Sequence, residues 1–194
     1  KKLADKYNGG EIKSKQSRSN EDNLISTNIF IGRDNSISEI SDSYKRKNNL
    51  STNTPNMTFA VSDKDGKRIA DAYDQMKHSP NDPSIKKGFA DLITQIKSQA
   101  DALMSKGYKF QIANEGEGYN SNSKAMVDDV RKTKRIFIDP SSKSFGTDRT
   151  FDKENIGLQD SGYKDANGIP MTNVELIRGV HDLFGHNEFG NGLA

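Results

Sequence analysis

The strongest secondary-structure pattern of the chain lies in residues 82–112, which read DPSIKKGFADLITQIKSQADALMSKGYKFQI. Asp82 is placed to cap a helix that begins at Pro83, because proline suits the first helical position. Apolar residues then recur every three or four positions as far as Gly107, which predicts one long amphipathic helix. Apolar and polar residues alternate over residues 108–112, so a half-buried strand is expected to follow. The apolar stripe of the helix consists of Ile85, Phe89, Leu92, Ile93, Ile96, Ala100, Leu103 and Met104.

Shorter helix and strand patterns lie on both sides of this stretch. Before it, Ile69, Tyr73 and Met76 recur at helical spacing, which predicts another helix. After it, we expect a helix over residues 123–134, then a strand formed by RIFID, then a long irregular connection over residues 141–170. Together these elements predict an α+β fold with a small sheet and about four helices.

Residues 1–56 differ in composition from the rest of the chain. They are dominated by Asn, Ser and Lys, whereas residues 57–194 hold nearly all the aromatic residues and the long apolar patterns. We therefore expect an extended, partly disordered, low-complexity arm followed by an α+β domain over residues 57–194. The β-branched island Leu24 to Ile31 either adds a strand to a partner's sheet or remains an apolar segment of a disordered linker.

The charge and composition of the chain exclude several function classes. The formal net charge of +2 is too balanced for a dedicated nucleic-acid binder, although the weakly basic arm can make weak contacts with phosphates. The absence of cysteine excludes disulfides, thiolate catalysis and zinc sites built on sulfur. No apolar stretch is long enough for a membrane span, and the amino-terminal residues lack the apolar segment of a signal peptide. Because the chain begins with Lys1, we expect a processed product or a piece of a longer polypeptide.

The last predicted helix covers residues 173–184. Thr172 and Glu175 have the spacing of a capping box at its start, and its apolar residues surround it on nearly every side, which is typical of a buried helix. We expect Gly185 to end this helix in the left-handed conformation of a Schellman motif.

Two of the three histidines, His181 and His186, would be brought into contact by such a helix end. Three interpretations remain open: a structural pair, a site for zinc, iron or manganese, and general acid–base catalysis without metal. In the metal site, a carboxylate such as Glu188 would be the third ligand. Asp182 lies about 100° further round the helix and need not join the site. The third histidine, His78, either caps a helix end or joins the other two.

Four segments of the chain carry a resemblance to a known family. In order they are RIADAYDQMKHSPNDPSIKKGFADL, MVDDVR, FGTDRTFD and VELIRGVHDLFGH. This order resembles a poorly characterised domain of tailed-phage proteins, associated with large multidomain virion or ejected polypeptides. The resemblance covers roughly residues 57–194, and its most specific pieces are HSPNDP and VHDLFGH. The family's motif positions that match are His78, His181, Asp182 and His186.

The resemblance implies a bacteriophage virion-associated protein, structural or packaged as ejected cargo, that acts through protein–protein contacts. Its expected partners are other virion proteins of the portal, tail or capsid, and its expected location is the phage particle, then the host cytoplasm after ejection. In that family the histidine segment is followed by a Glu-rich helix and another histidine, so this chain would be truncated and hold only part of such a site. The alternative hypothesis is a metal-dependent hydrolase centred on His181 and His186.

Overall fold

The computed structural model describes residues 32–53, 62–77, 79, 81–119, 122–145 and 155–190. This part of the chain holds five helices of nine residues or more, a four-residue helix (Ser142–Phe145), a 3₁₀ turn (Ile156–Leu158) and two small sheets. The predicted α+β fold is confirmed. The last helix continues without a break as a π-helix over Asp182–Asn187. The elements are α1 (Asn35–Lys47), α2 (Asp63–Gln75), α3 (Pro83–Met104), β1 (Lys109–Ile112), α4 (Ser123–Thr133), β2 (Arg135–Ile138), β3 (Asp160–Lys164), β4 (Pro170–Thr172) and α5 (Asn173–His181).

Strands β1 and β2 form a parallel pair joined by α4. Lys109 is opposite Arg135 and Ile112 is opposite Ile138. A parallel pair needs a crossover between its strands, and α4 supplies it, so that β1, α4 and β2 form one βαβ unit. The strands predicted at residues 108–112 and in RIFID are thus confirmed. Their alternating side chains Phe110, Ile112, Ile136 and Ile138 are buried in the core.

Strands β3 and β4 form an antiparallel hairpin inside the stretch expected to be irregular. That expectation is wrong for residues 160–170. The hairpin turn is held by the buried carboxylate of Asp165, which accepts hydrogen bonds from the backbone N–H groups of Asn167, Ile169 and Ile112. Because Ile112 ends β1, the same carboxylate fixes the hairpin to the parallel sheet. Strand β3 is mostly polar, which is why its pattern gave no strand signal.

Helix α1 belongs to the core, so the prediction of an extended arm is wrong for Asn35–Lys47. Ile37 and Ile40 are buried, and α1 packs against α3 and the π-helix. Asp34 caps α1 by accepting hydrogen bonds from two backbone N–H groups of its first turn. Two isoleucines are enough to attach this polar helix, and composition averaged over residues 1–56 conceals them. The rest of the predicted arm, with its island Leu24 to Ile31, lies outside the described residues.

Helix α3 is formed as predicted, but only the second half of its apolar stripe is buried. Asp82 caps it and Pro83 is its first residue. Ile96, Ala100 and Leu103 in its second half are buried. The first half of α3 and the whole of α2 leave their apolar side chains exposed, namely Ile69, Tyr73, Met76, Ile85, Phe89 and Leu92. Among the described helices, none combines the length and the apolar character that crossing a bilayer requires.

Helix α5 lies directly on the parallel sheet and positions the histidine segment. The predicted capping box is confirmed: the Thr172 side chain accepts a hydrogen bond from the Glu175 backbone, and the Glu175 carboxylate accepts one from the Thr172 backbone. The buried Glu175 carboxylate also accepts a hydrogen bond from Ser141 N–H, which ties the start of α5 to the chain after β2. Gly179 allows the close approach, since a Cβ there would lie 2.5 Å from Phe110 Cδ1 and 2.7 Å from Ile138 Cδ1.

Candidate metal centre

The helix that carries the histidines does not end at Gly185, so the prediction of a Schellman ending is wrong. Gly185 lies inside the π-helix and is not one of the described glycines with a positive φ. The widened winding is visible at its end, where Glu188 N–H donates to the Leu183 carbonyl five residues earlier, at 2.9 Å. Gly185 instead provides space for a neighbouring side chain. A Cβ there would lie 3.1 Å from Cε1 of His181, so its missing side chain makes room for that ring.

The π-helix brings the two imidazole rings together. The Nε2 atoms of His181 and His186 are 3.1 Å apart, and the ring centroids are 4.9 Å apart with the planes at 87°. In a regular α-helix, residues five positions apart point about 140° away from each other. The wider π-helix places the fifth residue much closer to the same side, and π-helical turns are frequent at functional sites. The expected contact between the rings therefore exists, through a helix geometry that was not expected.

Asp182 completes the cluster, and Glu188 does not belong to it. Among the described residues, one potential ligand atom each from His181, Asp182 and His186 lies within 4.8 Å of the others, which makes a group able to hold a metal ion. Glu188, the expected third ligand, is buried instead in an ion pair, with Oε1 at 3.0 Å from Nη2 of Arg33. The expectation for Glu188 fails because its partner comes from a distant part of the sequence. The remaining histidine, His78, lies outside the described residues.

The surroundings of Asp182 disfavour its charged form. Burial raises the pKa of its carboxyl group, and the neighbouring carboxylate of Asp139 raises it further. His186, His181 and Arg178 act in the opposite direction and lower the pKa of Asp182, but they do not cancel the effect of burial. A carboxyl group with a raised pKa beside two imidazoles is a combination typical of metal and acid–base sites.

One polar atom of the cluster has no hydrogen-bond partner. Nδ1 of His186 is buried and is unpaired among the described residues. Whichever imidazole donates across the Nε2 contact, this second ring nitrogen of His186 stays unsatisfied, as a donor or as an acceptor. Leaving a buried polar atom unpaired costs about 1–3 kcal/mol.

Two further residues of the site gave no clear signal in the sequence. Arg178, one turn before Asp182 on α5, donates from Nη1 to the Asp139 carbonyl at 3.0 Å. Asp139 directly follows β2, and its carboxylate pairs with Lys143. The cluster thus lies near the carboxyl end of a parallel strand, where open α/β sheets place their ligands. The position of Asp139 directly after the strand RIFI is the one local feature that could have indicated it.

Comparison of the chain with models of known protein families, with curated proteins and with solved structures finds no match. The resemblance to domains of tailed-phage proteins therefore stays a prediction. Any function has to be inferred from the geometry and chemistry of the cluster itself.

Proposed function

We propose that this protein is a metal-dependent hydrolase whose divalent cation is bound by His181, His186 and Asp182. The observation that carries the proposal is the 3.1 Å separation of the two Nε2 atoms. Two imidazole nitrogens at about 2.0–2.1 Å from a zinc ion are about 3.3–3.4 Å apart at the tetrahedral angle and about 2.8–3.0 Å apart at a right angle. The observed separation lies between these values, so the spacing of the two donor atoms suits one shared ion.

The ligand set suits a catalytic site. Two histidines and one carboxylate occupy three positions around a cation and leave others open, whereas structural zinc sites are closed by four protein ligands. A bound cation would supply Lewis-acid chemistry, polarising a substrate oxygen and lowering the pKa of water. The π-helix that continues α5 ends just after His186, and the partial negative charge at its carboxyl end favours a cation at this place. Zinc, iron and manganese all accept such a mixed nitrogen and oxygen ligand set.

The protein's own side chains have defined tasks in this proposal. Because Gly185 has no side chain, the His181 ring can lie against it and face His186. Arg178, held by the Asp139 carbonyl, lies close enough to Asp182 to offset part of its pKa rise and to favour the charged carboxylate that a cation requires.

The test is a metal titration of the purified chain. After removal of bound metal with a chelator, we expect one zinc or manganese ion per chain by calorimetry and by elemental analysis. His181→Ala and His186→Ala should each abolish this binding. Asp128→Asn is the matched control, because Asp128 is an exposed carboxylate on the surface of α4 that pairs with Lys124. Absence of stoichiometric metal in the unmodified chain would contradict the proposal.

A second candidate function is that of a virion-associated protein acting through protein–protein contacts. The observation that favours it is the uncovered apolar surface of α2, where Tyr73 is 74% and Met76 is 69% exposed. Exposed apolar patches on a folded chain are typical of surfaces that bind another protein. In this proposal the partners are other virion proteins, such as portal, tail or capsid components. Mass spectrometry of purified particles of the encoding phage should detect the chain, and its presence only in the infected-cell lysate would contradict this role.

A further inference from the structure

Three consecutive residues, Gly32, Arg33 and Asp34, form a clip on the chain that follows the π-helix. Asp34 N–H donates to the Glu188 carbonyl at 3.0 Å, and Nη2 of Arg33 is 3.0 Å from Oε1 of Glu188. Gly190 has a φ of +68°, and a Cβ there would lie 2.6 Å from the Gly32 carbonyl oxygen. The clip and the π-helix are therefore in direct contact through backbone as well as side chains, although Arg33 and Glu188 are 155 positions apart.

The clip is itself held from two sides. The Asp34 side chain caps α1, as described above, and lies 3.7 Å from Nε of Arg131 on α4. Nη2 of Arg131 also donates to the Gly32 carbonyl at 2.6 Å. Because α1 and α4 are both part of the core, the clip is a fixed support rather than a loose end.

Arg33 is the residue that joins this support to the π-helix. Its Nε donates to Ser38 Oγ at 2.7 Å, and its guanidinium lies over the Phe189 ring at 5.3 Å from the centroid. These contacts orient the guanidinium toward Glu188, whose residue is only 1% exposed. A buried carboxylate that loses its partner is strongly disfavoured, so removal of Arg33 would destabilise the present position of the Glu188 side chain.

Glu188 in turn ends the π-helix. Its backbone N–H makes the five-residue hydrogen bond to the Leu183 carbonyl, while its carbonyl and carboxylate are both bound by the clip. Helices with this wide winding are rare and short, and occur mostly as single turns inside α-helices. Without support at Glu188, we expect the segment to return to α-helical winding, which would turn His186 about 140° away from His181.

We propose that Arg33 is a positioning residue for the histidine pair: through Glu188 it holds the π-helix that keeps the two Nε2 atoms in contact, and it thereby sets the metal affinity of the cluster. The metal part of this inference rests on the proposed function, whereas the ring contact can be measured in the metal-free protein. The Arg33 guanidinium is itself oriented by Ser38, Phe189 and Glu188. A positive charge without these contacts is therefore not a full replacement for it.

The experiment compares the full chain with Arg33→Ala and Arg33→Lys by two measurements. The first is the nuclear Overhauser effect between the ring protons of His181 and His186 in metal-free protein, and the second is the zinc affinity by calorimetry. We expect Arg33→Ala to lose the ring-to-ring signal and to bind zinc at least roughly tenfold more weakly, the scale seen when groups that orient metal ligands are removed. Arg33→Lys should recover part of the ring-to-ring signal and part of the zinc affinity, since an ammonium can still pair with Glu188. Arg135→Ala is the matched control: Arg135 is also a partly buried arginine, paired with Asp129, and it should leave both measurements unchanged.

The outcomes separate this inference from the proposed function. A ring-to-ring signal of full strength, or an unchanged zinc affinity, in folded Arg33→Ala protein would overturn the positioning role. If Arg33→Ala does not fold, Arg33→Met keeps an unbranched side chain but removes every donor of that side chain to Glu188, and the same loss is expected from it. If the unmodified chain binds no zinc but its ring contact still depends on Arg33, the positioning role holds and the proposed metal site fails.

Discussion

Replacement of Gly179 by alanine should destabilise the protein by about 2 kcal/mol. The new Cβ would lie 2.5 Å from Phe110 Cδ1 and 2.7 Å from Ile138 Cδ1, and both side chains are buried in the core, so at least one of them would have to shift. Adding a methyl group to a filled core costs about 1–3 kcal/mol, and contacts this short indicate the upper end. Alanine returns about 1 kcal/mol through its higher helix propensity, which leaves a net loss of about 2 kcal/mol.

Urea unfolding followed by circular dichroism measures this loss. With a slope of about 2 kcal/mol per molar urea, the midpoint should fall by about 1 M. Gly88→Ala is the matched control because Gly88 also lies inside a helix but would have no atom within 4 Å of its new Cβ. This control should gain about 0.5–1 kcal/mol. A midpoint for Gly179→Ala at or above that of the unmodified chain would refute the close packing of α5 on β1 and β2.

Two further predictions concern the cluster. Gly185→Ala should push the His181 ring away, because the new Cβ would lie 3.1 Å from Cε1 and 3.2 Å from Nδ1 of that ring. Zinc affinity measured by calorimetry should then fall roughly tenfold or more. An unchanged affinity would contradict this prediction. Burial raises the pKa of the Asp182 carboxyl above its ordinary value of 3.8, so the charged form opposes folding, and stability is lost as the pH rises through this range. Asp182→Asn should therefore unfold at higher urea than the unmodified chain near about pH 7 with chelator present, and the difference should vanish below about pH 3.8. Equal midpoints at both pH values would show that the carboxylate is not disfavoured.

The elements that could be predicted from the sequence are those with local causes. The start of α3 follows from the cap Asp82 and from Pro83, and the strands β1 and β2 follow from short alternating or apolar runs. Helix α1 and strand β3 could not be predicted in this way. The burial of Ile37 depends on partners from α3 and the π-helix, and β3 is held by the carboxylate of Asp165 instead of by apolar side chains.

The cluster shows the same division. The contact between His181 and His186 was predicted, but the reason given for it was wrong: π-helical winding brings the rings together, whereas the glycine after an apolar helix had indicated a helix end. Gly185 instead provides space for a neighbouring ring, and no local pattern predicts a π-helix. The pairing of Glu188 with Arg33, which removes Glu188 from the cluster, depends on a contact 155 positions away in sequence.

All three candidate ligands come from six consecutive residues, yet the π-helix that orients them is supported by chain segments far away. A peptide of this segment alone would bind a cation weakly, because its three donors would adopt many arrangements. The folded protein holds the same donors in one arrangement. Cation binding and folding should therefore be thermodynamically linked, and a cation at a hundred times its dissociation constant would add about 2.7 kcal/mol to the stability of the whole domain. The melting temperature of the protein should therefore rise when the correct metal is present, and the size of this rise would report the occupancy of the metal site.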